Sequence, residues 1–238
     1  MTSFYVDCER GSVRRVERAL GSRRGVSALQ ERGPNERTPL HAACEGGHTA
    51  IADALLRRGR GLIDVLDAHS RSALHVASEA GRLQCVVLLL DASASPDLVD
   101  VQGCTALMRA CIGGHTELVD VLLRRRAQPN LIDNAGMTAL FRSLVEGNAG
   151  CVASLLRAGA ALQPAAPGVK LLAGALKSAE RRGHAECISL VRAAKGEHAR
   201  GLVGKRVRVV VGTPLLQQAC RRPMMREAAR VLSGADED

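Results

Sequence analysis

Aromatic residues are nearly missing from this chain. Its 238 residues include no tryptophan, one tyrosine and two phenylalanines. A surface that stacks successive nucleic-acid bases needs such rings, so their scarcity argues against that mode of binding. It also argues against a large irregular core. The 46% of apolar residues are mainly alanine, valine and leucine, which suit closely approaching helices. No apolar run reaches the length of a membrane span, and no membrane partner is expected. The N-terminal stretch MTSFYVDCERGSVRRV lacks the apolar core of a secretory signal, so a cytoplasmic and/or nuclear location is expected. No Gly-x-Ser-x-Gly or His-Glu-x-x-His motif is present, and no nucleophile constellation appears. The glycines and lysine of Gly201-Leu-Val-Gly204-Lys205 lack phosphate-loop spacing and the hydroxyl residue that follows its lysine. No enzymatic activity, cofactor or metal is expected. Cysteines stand at 8, 44, 85, 104, 111, 151, 187 and 220, with no Cys-x-x-Cys pair. They read as small packing residues in a reducing compartment, without a disulfide framework.

What the chain does contain is repetition. TPLHAACEGGHTAIADALLRRG at 38–59 returns as TALMRACIGGHTELVDVLLRRR at 105–126, with further copies beginning at Ser72 and Thr138. The tetrads start at 38, 72, 105 and 138, so the intervals are 34, 33 and 33. A fixed period of this length marks a stacked array of helical hairpins. Thr38 is placed to cap a helix and Pro39 to occupy its first turn. Leu40, Ala43 and Cys44 make a narrow apolar face, and Gly46-Gly47 closes the helix. Ile51, Leu55 and Leu56 recur at helical spacing in a second helix, which ends on Arg57, Arg58 and Gly59. One such hairpin has too little apolar surface to stand alone, so its neighbours must supply the core.

The Thr-Pro-Leu-His tetrad, the Gly-His turn and the Leu-Leu pair at this period resemble the ankyrin repeat family over nearly the whole chain. The resemblance implies an all-α ankyrin-repeat solenoid of stacked helix-turn-helix units with degenerate terminal caps. Its expected parts are a worn capping repeat at 2–37, four repeats at 38–173, a degenerate fifth at 174–200, and at 201–238 a basic β-like arm, a C-terminal cap and an acidic tail. The segment 162–168 (LQPAAPG) breaks the period as an enlarged finger. The segment 205–211 (KRVRVVV) alternates like a short hairpin, and Thr213-Pro214-Leu215 restarts the tetrad.

The resemblance also implies roles for side chains. His41 and His75, and the turn histidines His48, His115 and His184, are structural in the family. A metal site from His41, Cys44 and His48 is not expected, because equivalent positions hold Met108, Cys111 and His115, then Phe141, Leu144 and Asn148. Partners of such arrays meet the fingertips before each tetrad and the exposed end of each first helix. Carried over, these are Arg37, His69, Arg71, Val101, Gln102, Asn134 and Met137 at the fingers, and Glu45, Glu79, Ile112, Val145 and Glu146 on the helices. Val101, Ile112, Met137 and Val145 form the expected apolar patch.

The function this implies is non-catalytic binding of another protein, by a chain expected to be monomeric alone. Two alternatives stay open. Leu216-Gln-Gln-Ala-Cys220 resembles the Leu-x-x-x-Cys core of the elongin-binding helix in SOCS-box proteins, which implies elongin B/C as partners and a ubiquitin-ligase receptor role. Leu215, Pro223 and Met224 depart from that pattern. The net charge of +9 supports a third reading, association with nucleic-acid phosphates.

Overall fold

The computed structural model describes residues 3–22, 25–162 and 171–201. The 162–168 finger beyond Leu162, the 205–211 arm, the tetrad restart at 213 and the Leu216/Cys220 motif lie outside them. The chain divides into two compact units, Met1–His198 and Ala199–Asp238, and the repeats make up the first. All regular structure among the described residues is helical. Helices α1 (Phe4–Glu9) and α2 (Val13–Leu20) form a first hairpin, followed by the short α3 (Gly25–Leu29). Four regular hairpins come next: α4 (Pro39–Gly46) with α5 (Thr49–Arg58), α6 (Ala73–Glu79) with α7 (Leu83–Asp91), α8 (Ala106–Ile112) with α9 (Thr116–Arg124), and α10 (Ala139–Glu146) with α11 (Ala149–Arg157). The series continues with α12 (Leu171–Arg182) and α13 (Ala185–Gly201). Helix α12 begins three residues ahead of Gly174, where the sequence frame resumes.

First helices pack on first helices in chain order, from α1 through α4, α6, α8 and α10 to α12, and second helices pack alike from α2 to α11. The core is therefore one continuous ribbon. Leu40, Leu74, Leu107 and Leu140 fill one register position of it, and Leu55, Leu89, Leu122 and Leu155 another, all fully buried. Each such side chain contributes about 1.5–3 kcal/mol by leaving water.

Each helix of the four regular hairpins spans only seven to ten residues, so its unsatisfied ends weigh heavily. Three devices satisfy them. At the N-terminus of α4, Thr38 Oγ1 accepts from the His41 backbone N–H (3.3 Å) while His41 Nδ1 accepts from the Thr38 N–H (3.2 Å). Ser72 and His75 repeat this box on α6. The far side of each ring then reaches the next finger, where His41 Nε2 donates to the Arg71 carbonyl (2.9 Å) and His75 Nε2 to the Cys104 carbonyl (3.1 Å). The structural role expected for these histidines is what the geometry shows.

At the C-terminal end, the residue after each αL glycine reaches back across the junction. His48 donates to the Glu9 carbonyl (3.0 Å), Arg82 to Glu45 (2.9 Å), His115 to Glu79 (3.0 Å) and Asn148 to Cys111 (2.7 Å). Arg82 and Asn148 look like departures from Gly-His in the sequence, yet each does the histidine's work. Gly81 shows why glycine precedes this residue. Its φ is +68°, and a Cβ there would sit 2.6 Å from the His115 ring, so conformation and space both demand it.

Accepting at Nδ1 and donating at Nε2 assigns His41 and His75 to the neutral imidazole. Burial holds both below the ordinary 6.5, against a smaller upward pull that for His41 comes chiefly from its bond to the Arg71 carbonyl and for His75 from Asp100. The unfolded chain takes up these protons first as pH falls. The stabilisation is therefore complete above pH 6.5 and is lost as pH drops towards the depressed folded values. We expect the urea midpoint to fall between pH 7.5 and 5.5, and to fall measurably less in a His41→Met/His75→Met variant, since Met108 already fills the equivalent place. Equal slopes for the two proteins would refute the assignment.

Candidate functional site

The fingers that precede the tetrads at 72, 105 and 138 are each built on a buried aspartate. Asp67 Oδ1 accepts the backbone N–H groups of His69 (2.8 Å) and Arg71 (2.9 Å). Asp100 does the same for Gln102 and Cys104, and Asp133 for Ala135 and Met137. Successive fingers are tied by one backbone bond each, from Ala68 N–H to the Asn35 carbonyl, Val101 to His69, and Asn134 to Gln102, at 2.8–3.0 Å.

Each aspartate also keeps a cation, but not from the same place. Arg71, inside the finger, holds Asp67 with its Nε at 3.0 Å. In the next two repeats that position is Cys104 and Met137. The cation moves to the first helix, where Arg109 Nε meets Asp100 at 2.8 Å and Arg142 Nε meets Asp133 at 2.7 Å. Burial alone would raise the Asp67 carboxyl, but the bonds from the Arg71 and His69 N–H groups and the Arg71 guanidinium hold it below its ordinary value. For Arg109, burial would lower its affinity for the proton, and Asp100 outweighs this and raises it.

These pairs reach most of the charged residues expected to meet a partner. Arg37 bridges Glu45 (2.6 Å) and lies 3.7 Å from Asp67. Glu79 joins Arg71 (3.4 Å) to Arg109 (3.7 Å), and Glu146 faces Arg182 (3.6 Å). Gln102 accepts from Arg109 (3.1 Å), and Asn134 donates to the Val101 carbonyl (2.9 Å). The His69 residue is exposed at the fingertip. Glu45, Arg37, Asp67, Arg71, Glu79, Arg109 and Asp100 thus form one ionic chain across three repeats.

The expected apolar patch divides. Val101 is 55% exposed. Ile112 is half-buried, and Met137 and Val145 are half-buried and packed against the core. Three further aliphatic residues are open that the fingertip reading passed over: Leu66, Val99 and Ile132, at 43%, 44% and 46% exposure. Each stands immediately before a buried aspartate, so they recur once per finger in a row. The signal in the sequence was an aliphatic residue kept at that water-facing register position three times.

Among the described residues, no three His, Cys, Asp or Glu side chains gather in metal-binding geometry. Both nitrogens of His41 and Nε2 of His48 are committed to the bonds above. No described helix is long and apolar enough to cross a membrane.

Arg109→Ala would strand the Asp100 carboxylate, whose side chain is 1% exposed. We expect a loss of about 3–5 kcal/mol in chemical denaturation. Arg57→Ala removes a surface pair with Asp53 from a side chain that is 76% exposed, and its unfolding curve should overlay the parent's. Equal behaviour of the two variants would show that the finger pairs are not the structural element described.

A family model described as ankyrin repeats (3 copies) matches the chain at residues 5–100 and again at 89–166.

Proposed function

The chain belongs to the ankyrin repeat family, a family of protein-interaction modules, and from that premise we propose that it is a non-catalytic adaptor, scaffold or inhibitor that captures a partner protein along its fingers and first helices. The observation that supports this is the finger row. Of the five large hydrophobic side chains exposed among the described residues, four are Leu66, Val99, Val101 and Ile132. Apolar side chains gathered at one edge mark a contact surface more often than scattered ones do. Hydrogen bonds between successive fingers hold the row in order before docking, which keeps the entropy lost on binding small. The charged residues beside it, Arg37, Glu45, Arg71 and Glu79, are already paired with one another. They would contribute register more than affinity, with a few central aliphatic residues dominating.

Leu216 and Cys220 support a second reading, in which the same array presents substrates to a ubiquitin ligase through elongins B and C. One capture experiment separates the two. Wild-type protein is compared with Leu66→Ser/Val99→Ser/Ile132→Ser, with Ile112→Ala/Met137→Ala and with Leu216→Ser, each checked for an unchanged melting curve. The adaptor reading expects the finger variant to lose its specific partners by about tenfold or more and the Leu216 variant to keep them. Loss of elongins B and C from Leu216→Ser alone would establish the ligase reading. Partners retained by both array variants would place the binding surface elsewhere.

A further inference from the structure

In a chain with 24% charged residues, the outer surface of three consecutive fingers is almost free of charge. Over 66–71, 99–104 and 132–137 the exposed positions hold aliphatic and amide side chains, two alanines and His69. Asp67, Arg71, Asp100 and Asp133 are drawn inward and paired. The row has a fourth member one finger earlier. Gly33 N–H closes that finger onto the Arg37 carbonyl as Asp67 N–H closes the next onto Arg71, both at 2.9 Å. Arg32 therefore stands where Leu66, Val99 and Ile132 stand, at intervals of 34, 33 and 33. It is exposed, and among the described residues no carboxylate pairs with it.

The backbone sets the distance between members of this row. Each finger is closed across its two legs by one bond, Asp67 to Arg71, Asp100 to Cys104 and Asp133 to Met137 (2.9–3.0 Å), and another joins it to its neighbour. Backbone legs bonded side by side lie about 4.7–4.9 Å apart, so one finger of two legs advances by about 9.4–9.8 Å. A ligand lying across the fingers must offer its anchors at that interval and on one face. A β-strand returns to a face at about 6.6 and 13.2 Å and misses on both. An α-helix returns after seven residues, at about 10.5 Å and with a drift of about 20°. From Leu66 to Ile132 that leaves it about 1.4–2.2 Å out of step. A polyproline II segment returns at every third residue, at about 9.3 Å, and stays within about 1 Å over the same span. Such a segment is ordered before binding, which suits a shallow aliphatic row; Phe4, Tyr5 and Phe141 are all buried.

We propose that the finger row binds a polyproline II segment of the partner protein, with an aliphatic residue at every third position and an acidic residue at the end that meets Arg32. This rests on the adaptor reading above and names the ligand of that surface. Leu66, Val99 and Ile132 take the three aliphatic residues in turn. Val101, two residues along the same leg as Val99 and so on the same side of it, widens the middle position. Between its acidic end and its last anchor the segment is uncharged, because the exposed fingers give a charge nothing to pair with and would strip it of water. A polyproline II backbone has no internal hydrogen bonds, so its carbonyls accept from the surface. Gln102 supplies a donor there, since Arg109 holds its amide oxygen (3.1 Å) and its NH2 group remains. Arg32 fixes which end of the segment lies on the first finger.

The test measures fluorescence anisotropy of labelled synthetic peptides titrated with the full chain. The first peptide carries three leucines at every third position, an aspartate three residues outside them, and proline and glutamine elsewhere; it is made with the aspartate at either end. The second holds the same residues with the leucines at every second position. The third is a glutamate–alanine helix with leucine at every seventh. The period-three peptide, in one of its two orders, should bind about tenfold tighter than the others, and Leu66→Ser/Val99→Ser/Ile132→Ser should lose about tenfold. Arg32→Glu should weaken it by about fivefold, and lysine in place of the peptide's aspartate should restore binding to that variant. Equal binding of the three peptides, preference for the helix, no binding by any, or binding that the finger variant keeps would each overturn the proposal. Self-association of the wild type that the finger variant abolishes would also overturn it, assigning the row to a second copy. The adaptor reading stands or falls apart from it. Partners captured by the wild type and lost by the finger variant, with no peptide bound, would keep that reading and remove only the period-three ligand. The ranking of peptides on the wild-type chain decides even if the finger variant folds poorly.

Discussion

No hairpin in this array can satisfy its own backbone. Helices of seven to ten residues leave a large share of their N–H and C=O groups without an intrahelical partner, and in isolation they are marginal. The partners come from the next repeat. His41 and His75 lend one nitrogen to their own helix and the other to the following finger, while His48, Arg82, His115 and Asn148 reach back to the preceding helix. Polar satisfaction and apolar burial therefore run across the same junctions. Local order in one repeat is a property of its neighbours, and that is the physical sense of a one-dimensional core.

Positions with a fixed local job were legible in the sequence. The tetrad, the αL glycine and the leucine pair announce themselves because the same chemistry is needed in every copy. What could not be read is the pairing of positions whose letters change together in space. The loss of Arg71's equivalent at Cys104 and Met137 looks like decay of the motif, whereas Arg109 and Arg142 restore the cation from a different element. Cys44 and Cys111 could be aligned with each other by counting. What each of them meets in the next hairpin depends on how that hairpin stacks, and no periodicity within one repeat encodes it.

The finger aspartates set what the proposed binding surface can be. Each is fully desolvated and is tolerated only because two backbone N–H groups and a guanidinium surround it. That requirement commits Arg71, Arg109 and Arg142 to the scaffold, and through Glu79 and Arg37 it draws in the carboxylates beside them. A partner meeting this face meets an internally neutralised network, which discriminates by geometry and by the cost of disturbing it. The side chains left over are the aliphatic ones at 66, 99, 101 and 132, which the ionic chain does not occupy.

Junction chemistry and surface geometry are then coupled through the stack. The finger row is ordered only as far as adjacent repeats hold their relative positions, because each finger contributes its own aliphatic side chains and one backbone bond to its neighbour. In an array whose repeats touch only their neighbours, a change at one junction acts first on the geometry of that junction and so on the fingers at either side of it.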